Sequence, residues 1–113
     1  MRLEGDGKLV RIFIGDSDTW EGKPLYEAIV RRVRAEGLAG ATVIKGTSGF
    51  GASSRIHTAS ILRLSEDLPL IVEIVDTEEH IQRILPILDD MVDDGMVTVE
   101  KVRIISYRGR KET

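Results

Sequence analysis

Ala41-Thr-Val-Ile-Lys-Gly-Thr-Ser-Gly-Phe-Gly51 is the stretch from which the rest of the chain can be read. A β-branched run ends at Lys45, and three glycines, Gly46, Gly49 and Gly51, follow within six residues. The run predicts a strand over 40–45 that opens into a tight turn. Glycine admits φ > 0 and lets a ligand approach the backbone. Successive amides in such a turn can converge on an anion. Arg55 and His57 follow, supplying a cation and a base. No helical period runs from Gly49 to Asp67, so residues 46–67 read as one long loop. A loop of that length in a small domain is usually functional or disordered. The same glycine spacing also serves as plain hairpin punctuation. It is not a Walker loop, because no Gly-Lys-Ser/Thr follows. Nor is it a dinucleotide fingerprint, because no helical repeat starts at Gly51.

Upstream, residues 8–15 alternate as a strand, with Val10, Ile12 and Ile14 on one face and Leu9, Arg11 and Phe13 on the other. Asp16 to Gly22 reads as a polar loop holding Trp20, either a local lid over the core or a stacking platform. Residues 23–36 read as a helix with Pro24 in its first turn and Leu25, Ala28, Ile29 and Val33 facing inward; Gly37 stops it. Arg31, Arg32 and Arg34 suit its C-terminal dipole end.

Downstream, Leu70-Ile-Val-Glu-Ile-Val75 is a third strand. Asp76-Thr-Glu-Glu79 reads as a capping box for a second helix. Ile81, Ile84, Leu85, Leu88, Met91 and Val92 keep helical spacing in it, with a kink expected at Pro86 and a stop at Gly95. Residues 98–107 form the last strand.

The order is β-α-β-β-α-β. It predicts an α+β, ferredoxin-like sandwich: a four-stranded antiparallel sheet with both helices on one face. The first and third strands are the most apolar and are placed at the centre, as parallel neighbours joined by a right-handed crossover. The second sheet face then carries Arg11, Phe13, Ile71, Glu73, Val75, Arg103 and Ile105. That mix is too apolar for a face left to water, so it predicts burial against another subunit, with Glu73 pairing Arg11 or Arg103.

At 113 residues this is a single domain, residues 1–113. It is 42% hydrophobic and 31% charged, in the range of a globular chain. A net charge of −3 argues against a nucleic-acid partner. The absence of cysteine excludes disulfides, thiol catalysis and thiolate metal sites, and fits a cytoplasmic protein. The N-terminus is too polar for a signal peptide, and no run is long enough to span a membrane.

The run Gly37-Leu-Ala-Gly-Ala-Thr-Val-Ile-Lys-Gly-Thr-Ser-Gly-Phe-Gly51, with Ile56-His-Thr-Ala59 and Leu64-Ser-Glu-Asp-Leu-Pro69, resembles a bacterial and archaeal family of unknown function, domain of unknown function 190, placed among the PII-like signalling proteins. The resemblance covers residues 8–107. It implies a ferredoxin-like subunit assembled as a homotrimer with the open sheet faces inside. It also implies adenine-nucleotide binding in inter-subunit clefts near the base of the long loop. The loop would then report ligand state to a target protein, a membrane transporter being one class. The chain departs from PII proper at Asp93-Asp-Gly-Met-Val-Thr98, where PII carries a glycine-rich turn with a lysine. Its long loop also lacks the tyrosine of the nucleotidylylation switch.

The leading expectation is therefore a signalling protein that binds ADP, ATP or AMP. Its site would comprise Lys45, Gly46, Gly49, Gly51, Arg55 and His57 at the loop base, with Arg103 and Arg108 from the last strand. Glycine amides would cradle phosphate and the cations would neutralise it. Each cation also reads as a solvated or interfacial charge. The alternative is a divalent-metal tolerance protein of the same trimeric fold, weakened by the presence of only two histidines, His57 and His80. No nucleophile, base and orienting acid fall together, so no enzyme is expected and no catalytic or metal residue is assigned.

Overall fold

The alternation that marks the first strand also makes it the axis of the fold. In the computed structural model, which describes residues 2–51 and 67–109, β1 spans Arg2–Gly15 and pairs on both sides. The other elements are β2 (Thr19–Trp20), β3 (Lys23–Pro24), α1 (Leu25–Ala35), β4 (Thr42–Lys45), β5 (Pro69–Asp76), α2 (Glu78–Met91) and β6 (Met96–Arg108). The main sheet has the order β4-β5-β1-β6 and every pairing is antiparallel. This is the expected α+β, ferredoxin-like arrangement.

One expectation is corrected. The first and third long strands, β1 and β5, are neighbours but antiparallel, with Ile12 opposite Val72. The helical crossover makes β1 and β4 parallel, and β5 lies between them. A strand inserted into a split β-α-β unit runs against both of its neighbours.

Val10, Ile12 and Ile14 of β1 and Leu70, Val72 and Ile74 of β5 are buried against Leu25, Ala28, Ile29 and Val33 of α1 and Ile81, Ile84, Leu88 and Met91 of α2. All four residues of the expected inward stripe of α1 are in this core. Its C-terminus closes as a Schellman motif: Leu38 N–H donates to Val33 O at 3.3 Å and Gly37 N–H to Arg34 O at 3.0 Å. Gly37 sits at φ +82, the left-handed conformation this motif requires, and Leu38 is buried beneath it.

The expected loop at Asp16–Gly22 holds a small hairpin, β2–β3, with Glu21 and Gly22 both at positive φ. Such a turn matches the right-handed twist of its strands. Trp20 packs on the core rather than standing free, as a lid does. The cap of α2 lies one residue later than the sequence spacing suggests: Thr77 is the N-cap and accepts from His80 N. The helix continues through Pro86, where the Gln82 carbonyl lacks its amide donor.

The other sheet face is uncovered by either helix. On it lie Ile44 of β4, Ile71, Glu73 and Val75 of β5, and Leu9, Arg11 and Phe13 of β1. The β6 register corrects a second expectation. Thr98 lies opposite Arg11, so Thr98, Glu100 and Val102 share this open face. Arg103 lies opposite Asp6 and points with it to the helix side, together with Val97 and Val99. Arg11 therefore pairs with Glu73, Nε to Oε2 at 3.0 Å, and with Glu100, not beside Arg103.

Candidate functional site

The glycine turn is built where β4 ends against the start of β5. Gly46 N–H donates to Pro69 O at 2.8 Å. A Cβ on Gly46 would stand 2.9 Å from Pro69 Cγ, so only glycine fits there unchanged. Gly49 lies at φ +139, a conformation that side chains rarely adopt. The turn is thus glycine-dependent, as expected. Its chemistry differs from the expectation in two respects. The Gly46 amide is committed to the Pro69 carbonyl and does not face outward for an anion. Lys45 Nζ lies 2.9 Å from Asp16 Oδ2, so its charge is already offset. Gly51 is exposed, and a Cβ there would meet nothing within 4 Å. Arg55 and His57 lie outside the described residues.

Arg103 and Arg108 are not brought to this turn within one chain. Lys45 is level with Leu70 and hence with Ile14, on one edge of the sheet; Arg103 is level with Asp6, on the other edge. From Asp6 to Ile14 along β1 is about 26 Å, and the sheet is about 14 Å wide between its edge strands. The expected cations occupy opposite corners.

A cavity of about 410 Å³ lies elsewhere, on the open face. A bulge between Leu3 and Gly5 creates it. The register passes from Gly5–Ile104 to Leu3–Tyr107, with Gly5 at φ +97. The extra β6 residue flips the alternation and turns Tyr107 onto the open face beside Leu3 and Ile104. The end of the β1–β6 ribbon leans across the sheet, and Tyr107 Oη donates to Ala39 O at 3.1 Å, on the far edge. Under this strap the walls are aliphatic: Leu3, Ala39, Ala41, Val75 and Ile104. The polar groups are Glu73, Thr42, Ser106 and Tyr107. A small pocket that mixes aliphatic walls with a few polar groups suits a flat organic ring. Glu73 brings a carboxylate to the cavity wall, with Oε2 already held by Arg11 Nε.

Ala39 is held from behind. Its N–H donates to Asp76 Oδ2 at 2.7 Å. Asp76 is fully buried, and its Oδ1 also accepts from Thr77 N and contacts His80 Nδ1, both at 2.7 Å. A buried carboxylate is tolerable only with such a set of donors. On the open face, the Glu73 hydrogen bond holds the Arg11 guanidinium above its ordinary range, partly opposed by desolvation and aided by Glu100.

The sequence reading missed this cavity. Ala39, Gly40, Ala41 and Tyr107 carry no reactive group, and the bulge that gathers them has no signal beyond Gly5. The small-residue run Ala39-Gly-Ala41 was the available clue. Among the described residues, no three His, Asp or Glu side chains converge as metal ligands, and no helix is long and apolar enough to cross a membrane.

Comparison with known proteins finds a match to DUF190, described as an uncharacterized ACR, over residues 7–104. A UPF0166 protein of Aquifex aeolicus is 38% identical over 98 residues, covering 87% of this chain and 92% of that protein. A UPF0166 protein of Methanocaldococcus jannaschii is 36% identical over 103 residues, covering 90% and 93%.

Proposed function

The chain belongs to the DUF190 family, and on that premise we propose that it is a regulatory binding protein for a small adenine nucleotide. It works as a homotrimer and controls a partner protein, a transporter being the class that the PII-like resemblance implies. The observation that carries this reading is the cavity beneath the Tyr107 strap, which has the size and mixed lining of a nucleobase site. Its one carboxylate, Glu73, suits an exocyclic amine. Arg103 and Arg108 neighbour the cavity residues Ile104 and Tyr107 on β6, whereas Lys45 lies towards the other end of β4. On this reading Arg103 or Arg108 is the cation for the phosphate, and a second subunit supplies any contact from the glycine turn.

The trimer is supported by the second sheet face and by the edges. Ile44, Val75 and Met96 are exposed on that face at 42%, 40% and 59%. Exposed apolar side chains on the face that neither helix covers support an interaction surface there, and Val43, Val97 and Val99 are exposed at the edge strands of the helix side as well. The edge strands β4 and β6 run antiparallel to each other, so rotation about an axis along the strands sets β6 of one copy antiparallel to β4 of the next. That heterologous contact closes into a ring.

Calorimetry and thermal shift with AMP, ADP and ATP test the ligand. A nucleotide at one hundred times its Kd stabilises the fold by about 2.7 kcal/mol. Gly40 lines the cavity and a Cβ there meets nothing within 4 Å. Gly40→Trp should therefore fold, fill the cavity and abolish binding. Unchanged binding by Gly40→Trp would place the ligand elsewhere, and no binding by the parent chain would refute the nucleotide.

A further inference from the structure

A single hydrogen-bonded line runs from the start of α2 to the tip of the strap. His80 Nδ1 meets Asp76 Oδ1, Asp76 Oδ2 accepts the Ala39 amide, and the Ala39 carbonyl accepts the Tyr107 hydroxyl. Two backbone amides already donate to Asp76, so the carboxylate acts as acceptor and His80 Nδ1 as donor. Residue Ala39 is therefore held on both sides, its amide by a buried carboxylate and its carbonyl by the strap. The two bonds meet at the Ala39 Cα, so the connection between them is through the position of that residue.

We infer that Asp76 and His80 are positioning residues for the cavity: they fix the Ala39 peptide, and through it the Tyr107 strap, from the N-terminus of α2. This rests on reading the cavity as the ligand site. Neither residue faces the cavity, so both act through Ala39. The arrangement gives α2 a mechanical connection to whatever lies under the strap. It also accounts for a fully buried aspartate at a strand end, where a Val or Ile would otherwise complete the core face of β5.

The test uses the ligand-free 113-residue chain, labelled with nitrogen-15. His80→Ala removes the donor to Asp76, and His80→Gln keeps one. In His80→Ala the Ala39 amide should exchange about tenfold faster than in the parent, the loss of roughly one hydrogen bond; His80→Gln should stay within about twofold. A purely structural role for His80 would not distinguish the two by Ala39 alone. Tyr107→Phe, at the strap's tip, should keep the fold and shift the His80 ring resonance from the other end of the line. An unchanged Ala39 amide in His80→Ala, or an unchanged His80 ring in Tyr107→Phe, overturns the inference. Titration with AMP gives a separate arm. His80→Ala should weaken AMP about tenfold and His80→Gln should restore it; equal affinities overturn the positioning role. If the parent binds no nucleotide, the functional reading fails, and the amide and ring resonances alone decide the positioning claim.

Discussion

The two faces of the sheet are built from the same strands and nearly the same residue types, yet only one is closed. Ile12 on the helix side is fully buried; Ile71, on the other face of the neighbouring strand β5, is only half-buried. The helix side is aliphatic from Val10 to Ile14 and from Leu70 to Ile74, and its polar groups, Asp6, Lys8, Asp76 and Arg103, gather at one end. The open side interrupts its aliphatics with Arg11, Glu73 and Glu100 at the centre. A layer closed within one chain needs no polar markers. A layer to be closed by another copy gains from a charge cluster that fixes how the copies align, because misaligned buried charges are costly.

Substitutions that shrink one layer at a time separate the two roles. Ile12→Ala leaves a cavity in the core and should cost roughly 2–5 kcal/mol in denaturant unfolding at any protein concentration. Ile71→Ala should cost much less at high dilution, and its effect should grow with concentration as the assembly forms. Equal, concentration-independent losses would erase the distinction between the faces.

Charge reversal sharpens the comparison next. Arg11→Glu sets three carboxylates together on the open face and should drive the assembly apart. The exchange Arg11→Glu with Glu73→Arg should restore part of it. Gel filtration coupled to light scattering reads both; failure of the exchange to restore any assembly would mean that the pair does not set alignment. The raised Arg11 pKa keeps the guanidinium charged throughout the neutral and mildly alkaline range. Stability linked to that charge is present below its ordinary value and is lost only as pH rises through the still higher folded one. Assembly should therefore not fall between pH 7 and pH 9 on its account.

How far the sequence reveals this architecture depends on where partners decide the structure. Val10, Ile12 and Ile14 alternate by themselves, and the α1 stripe of Leu25, Ala28, Ile29 and Val33 repeats by itself, so both are legible. The segment Arg2-Leu-Glu-Gly-Asp-Gly7 does not alternate, yet it is strand, because β6 supplies the pairing. In β6, Val97 and Val99 fall on one face and Val102 and Ile104 on the other. Its own pattern cannot choose the face, and the register does. The register with Asp6, and not the pattern of β6, sets Arg103 on the helix side. The glycine turn could be read at the level of backbone, since glycine is informative wherever it is required. The use of its amides could not, because the Gly46 bond to Pro69 depends on β4–β5 pairing. The cavity lay hidden for the same reason: the bulge, not any single residue, turns Tyr107 inward.

Two smaller effects bound the account. Gly37→Ala puts a side chain at φ +82 and should cost about 1 kcal/mol, seen as a lower unfolding midpoint with the core intact. Arg103→Ala, on an exposed stretch of β6, should leave stability within about 0.5 kcal/mol. A larger loss would show that Arg103 has a structural partner in the assembled protein.

The measurement that bears most directly on the open face is the mass of the protein in solution. Sedimentation equilibrium at micromolar concentration should return three times the 12.6 kDa chain mass, and the open-face variant Val75→Asp should return one. A parent chain that sediments as a monomer across that range would contradict the claim that this face is made to be covered by further copies.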